Sequence, residues 1–77
     1  MNKRNIDYMS PEDIKDLRTT MRLTQVRFAE ALGTTTTTVS RWEHGVVTPS
    51  KVYVREIKKL QGKYANKLRK QYGIELS

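Results

Sequence analysis

The stretch LTQVRFAEALGTTTTTVSRWEHG, residues 23–45, decides the fold. Thr24 precedes a run of helical periodicity, which makes it the candidate N-cap of a helix over about 25–32. Phe28, Ala29 and Leu32 form the inner face of that helix, with Val26 at its edge. Gly33 ends it, because the residue after a C-cap adopts positive φ and glycine does so without strain. Five threonines follow, Thr34 to Thr38. β-branched residues are mediocre helix formers, so propensity alone argues for a strand or loop. Capping chemistry argues for a helix: a threonine N-caps a segment of about 36–43 that runs through Val39, Ser40, Arg41, Trp42 and Glu43 and stops at Gly45. Two short helices joined by a tight turn are therefore expected at the centre of the chain.

The same reasoning extends outward. Ser10-Pro11-Glu12-Asp13 is a helix start, with Ser at the N-cap, Pro at the first helical position and acids in the first turn. Ile14, Leu17 and Met21 continue it to about residue 21, and Leu23 packs beneath the connection. Residues 1–9 carry no apolar period and are expected to fray. Past the loop at residues 46–50, Ser50 is the N-cap of a further helix whose core face is Val54, Ile57 and Leu60. Gly62 is a candidate stop, yet Tyr64, Leu68 and Tyr72 continue the stripe beyond it. Either one helix crosses the glycine at a cost of about 1 kcal/mol, or a fifth helix starts near Lys63. The pattern favours two segments, with Gly73 ending the second. The expectation is a single all-α domain over residues 1–77, a compact bundle of four to five short helices, with 63–77 a basic C-terminal helix and tail.

Composition narrows the chemistry. The 77 residues include no cysteine and a single histidine, His44, so thiolate and imidazole metal sites are not expected. No cofactor is implied. Fifteen Lys+Arg against eight Asp+Glu give a net charge of +7, which favours a polyanionic partner, nucleic acid before an acidic membrane surface. Residues 51–77 carry a net +6 of this and residues 1–50 only +1. No apolar run approaches the roughly 18 residues of a membrane helix, and residues 1–8 lack the apolar core of a signal peptide. The cytoplasm, or the interior of a phage-infected cell, is the expected location. Catalysis is not expected: there is no Ser–His–acid set, no Cys–His set and no glycine-rich phosphate loop. Ser40 and His44 lie one helical turn apart but have no oxyanion site.

Residues 14–50 resemble the phage-repressor class of helix-turn-helix proteins, the Xre/Cro-like family. The resemblance rests on Leu17-Arg18, Leu23-Thr24-Gln25, Phe28-Ala29, Leu32-Gly33, Val39-Ser40-Arg41-Trp42-Glu43, Gly45 and Pro49-Ser50, in the family's order and spacing. It covers about half the chain and implies a lambda-repressor-like fold that binds double-stranded DNA to regulate transcription, as a small repressor or autorepressor. It implies that Glu43 ties down Arg18 as an internal ion pair and that Trp42 is a core aromatic. It also implies DNA-contact roles. Gln25 meets a phosphate at the start of its helix. Thr35 caps the recognition helix and touches the backbone. Thr36, Thr37 and Ser40 face base edges, and Arg41 pairs with guanine O6 and N7. His44, Thr48 and Lys51 reach phosphates at the flanks. The recognition helix lacks the Gln and Asn that pair with adenine, so threonine methyls, water and DNA shape carry more of the readout.

One such unit reads few base pairs, and a homodimer on half-sites about 34 Å apart is the expected assembly. The stripe Tyr64, Leu68, Tyr72, Ile74 and Leu76 is the candidate surface for it. The stripe also has two other readings: it folds back on the core, or it binds a protein partner in an antitoxin-like or accessory role.

Overall fold

The computed structural model describes residues 8–72, with side chains through Lys67. Among them run four α-helices: α1 (Pro11–Thr20), α2 (Gln25–Leu32), α3 (Thr36–Glu43) and α4 (Lys51–Tyr72). All four begin after a Ser or Thr cap, Ser50 capping α4 through its carbonyl and hydroxyl. Ser10 Oγ accepts the Asp13 N–H at 3.0 Å, Thr24 Oγ1 accepts the Arg27 N–H at 3.1 Å, and Thr35 Oγ1 accepts the Thr38 N–H at 3.2 Å. Each bond satisfies a backbone donor that the first helical turn leaves without an intrahelical partner.

Three helices also end alike. At the end of α2, the Thr34 N–H reaches the Ala29 carbonyl and the Gly33 N–H reaches that of Glu30. At the end of α3, Val46 and Gly45 make the same pair of bonds to Arg41 and Trp42. This is the Schellman motif, which needs a left-handed residue after the cap. Gly33 (φ 73°) and Gly45 (φ 75°) supply it. α1 closes through Leu23 to Arg18 and Arg22 to Thr19, but its left-handed residue is Arg22, at φ 60°. A side chain there costs about 1–2 kcal/mol in crowding against the backbone, partly offset because glycine has more freedom to lose on folding. Arg22→Gly is therefore expected to gain about 0.5–1 kcal/mol and to raise the melting temperature by a few degrees. A thermal melt with no rise would mean that the Arg22 side chain compensates the strain.

The core joins Ile14 and Met21 of the first segment, Phe28 and Ala29 of α2, Val39 and Trp42 of α3, and Val54 and Ile57 of α4. Ala29 sits where α2 and α3 pack, and its small side chain permits the close approach. Leu17, Leu23, Leu32, Leu60 and Tyr64 pack around this cluster. Met9 also belongs to it, at 7% exposure, so the core reaches a residue assigned above to a fraying terminus.

The expected break at Gly62 is absent. α4 is one helix through the glycine. Leu60 on one side and Tyr64 on the other both pack on the core. Burial of an aromatic ring outweighs the roughly 1 kcal/mol that glycine costs in a helix. α1 ends at Thr20, one residue short of the expected bound. Leu68 and Tyr72 lie on α4, but their side chains, with all of Ile74 and Leu76, fall outside the described residues.

Candidate nucleic-acid interface

α3 is held from beneath by Val39 and Trp42, exposed 0% and 2%. Trp42 in turn meets Tyr53 of α4, ring centroids 5.2 Å apart and tilted by 57°, a favoured arrangement for an aromatic pair. These anchors fix which face of α3 is outward. Thr36, Thr37 and Arg41 are exposed on it and Ser40 is half-buried, as the 3.6-residue period requires. The surface is made of two short threonines at the N-terminal end and one long cation a turn later.

A partly buried polar network ties α3 to the two helices before it. Arg18 of α1 donates Nε to Glu43 Oε2 at 2.6 Å and a terminal nitrogen to Oε1 at 3.1 Å, a bidentate pair. Its other terminal nitrogen donates to the Leu23 carbonyl at 2.8 Å. Gln25 Nε2 of α2 donates to the same Glu43 Oε1 at 3.1 Å. One carboxylate thus joins α1, α2 and α3. Burial by itself would push the Glu43 carboxyl up. The hydrogen bonds from Arg18 and Gln25, with the charges of Arg18 and Lys15, outweigh it and hold the group below its usual value of 4.5.

Thr35 is exposed, and its Oγ1 also lies 2.9 Å from Thr38 Oγ1. His44 caps α3: Nδ1 lies 2.8 Å from the Ser40 carbonyl. A carbonyl only accepts, so this contact puts the proton on Nδ1. Thr48 and Lys51 are exposed, Thr48 in the loop and Lys51 at the first position of α4, where the Ser50 carbonyl and hydroxyl cap the helix. Gln25, Thr35 and Lys51 thus sit at the starts of α2, α3 and α4. Tyr64 stands apart from these residues, half-buried against the core and lining a groove with Arg22, Thr24 and Arg27.

Two features were not foreseen from sequence. The Gln25–Glu43 bond spans 18 residues, and nothing local signals it. Val46, Val47 and Val52 are exposed around the α3–α4 connection; their position after Gly45 identifies them as loop and helix-start residues but does not show their exposure. Among the described residues, no group of three or more His, Cys, Asp or Glu is placed to hold a metal ion, and no helix is long and apolar enough to cross a membrane.

The helix-turn-helix family model matches residues 14–77. No curated protein matches the chain, and neither does any solved structure.

Proposed function

Because the chain belongs to the helix-turn-helix family, a family of DNA-binding regulators, we propose that it is a repressor or autorepressor that binds an operator in double-stranded DNA as a homodimer, with α3 in the major groove. The observation that carries this reading is the outward face of α3: Thr36, Thr37, Ser40 and Arg41 on a helix locked by Val39, Trp42 and the Glu43 network. The major groove, about 12 Å wide, admits one helix. Arg41 pairs with guanine O6 and N7, and the threonines offer methyl contact to thymine and single hydrogen bonds.

Phosphates take the flanking residues. Gln25 keeps one N–H proton and its carbonyl oxygen beyond the bond to Glu43. Thr35 keeps its own proton when Thr38 is the donor. His44, Thr48 and Lys51 extend the backbone contacts on the far side of α3. The dimer surface is the stripe Tyr64, Leu68, Tyr72, Ile74 and Leu76. Tyr64 contributes only the part of its ring that the core leaves open.

Methylation of guanine N7 tests the reading, because that atom lies in the major groove. A bound duplex methylated at one guanine per half-site is expected to lose binding. Undiminished binding with every guanine methylated would overturn the major-groove role of Arg41.

A further inference from the structure

α4 carries eight basic residues and one acidic residue, Glu56. Its core face is Tyr53, Val54, Ile57, Leu60 and Tyr64. Lys51, Arg55, Lys59, Lys63 and Lys67 recur at four-residue spacing on the exposed side. At about 1.5 Å per residue, the five span about 24 Å of helix.

A solvated face balances its charges at this spacing, because like charges four apart repel and opposite ones attract. Glu56 reaches Lys59 at 3.6 Å, while Lys63 and Lys67 have no ion-pair partner among the described residues. Lys63 and Lys67 therefore repel one another without compensation and call for an anion that binding supplies.

Affinity for a duplex rises with each phosphate that a Lys or Arg neutralises, because counterions are released. Among the described residues, Arg41 and Lys51 are exposed cations on α3 and at the start of α4, and Lys15 is close enough for its charge to act on Glu43. Arg18 is committed to Glu43 and the Leu23 carbonyl. Arg22 and Arg27 line the groove against Tyr64, in whose wall no α3 residue takes part. We infer that Lys59, Lys63 and Lys67 bind the sugar–phosphate backbone of the same duplex, beyond the base pairs that α3 reads. The stripe starts at Lys51, where the loop from α3 enters α4, and its 24 Å length corresponds to about 7 base pairs of flank. The inference rests on the proposed DNA-binding role.

The test uses K59Q/K63Q/K67Q, with K59R/K63R/K67R as the conservative partner. The probe is a duplex enriched from a random pool, used bare and with about 8 base pairs of arbitrary sequence on each side. All three proteins are expected to bind the bare duplex alike. On the flanked duplex, the affinity of the wild-type and arginine-variant dimers falls about 2,000-fold further between about 50 and 200 mM salt than that of the glutamine variant, because three contacts from each of two protomers add about 5.4 to the salt slope. Melting temperatures should be unchanged or higher for the glutamine variant, since repulsion is relieved. An equal slope for wild type and glutamine variant would overturn the inference. So would a loss already complete on the bare duplex, or a gain that appears only in complexes holding two duplexes. Failure of the pool to enrich any sequence would count against the role of α3 instead. A salt-slope difference on arbitrary duplexes of the flanked length would then still uphold the phosphate contacts of the stripe.

Discussion

Arg18→Ala is expected to cost about 3 kcal/mol or more of folding stability, because it strands a buried carboxylate. Glu43 is 4% exposed at its side chain, and Arg18 makes two of its hydrogen bonds. The variant also leaves the Leu23 carbonyl without its guanidinium donor. A chain of this length has a margin of about 4–12 kcal/mol, so the loss is a large part of it, and the melting temperature should fall by about 12–25 °C. Acidity provides a second readout. In the wild type the Glu43 carboxyl is held below its ordinary value, so its contribution is complete above about pH 4.5 and is lost as the pH falls through the lowered value. Without Arg18, the hydrogen bonds and charge it supplies to lower the carboxyl are gone, so acidification costs the variant less than it costs the wild type. The gap between them should narrow as the pH drops below about 4.5. Arg18→Lys restores charge without the planar fork and should recover only part of the loss. A fall of only a few degrees, or a gap that ignores pH, would mean that the pair is incidental to the fold.

Arg41→Ala is expected to remove about 1–3 kcal/mol of discrimination, roughly 5- to 150-fold, at one base pair of each half-site. The effect is local because Arg41 is the one long side chain among the outward residues of α3; the others are Thr36, Thr37 and Ser40. Their short side chains contact neighbouring bases without exclusive pairing. Val39 and Trp42 hold the helix in place when the arginine is cut back, so affinity for unrelated duplexes should change little. Titration of the preferred duplex and of its single-base variants measures this. Equal weakening across all of them would make Arg41 a phosphate contact.

What could be read in advance follows from how local each cause is. Ser10, Thr24, Thr35 and Gly33 were legible because a cap is decided within four residues of sequence. Phe28 and Val39 were legible because burial follows the helical period, and Trp42 was reached through the family resemblance. The Arg18–Glu43 pair lies 25 residues apart and was reached only through resemblance to a family. Where tertiary packing decides, the sequence reading failed. Gly62 looks like a stop unless Tyr64 is known to pack on the core. Met9 looks like a loose end unless the core is known to reach it. Arg22 hides a left-handed turn because glycine is the residue that announces one. At the interface, the exposed positions of α3 were legible from its period, while the Gln25 bond to Glu43 was not, since two helices must first meet for it to form.

The central claim is that the exposed face of α3 reads base edges, and selection of bound duplexes from a random pool at two salt concentrations tests it most directly. The account predicts enrichment of a palindrome with half-sites about 34 Å apart, each containing a guanine that Arg41→Ala no longer selects. Strong, salt-sensitive retention with no enriched sequence would contradict it.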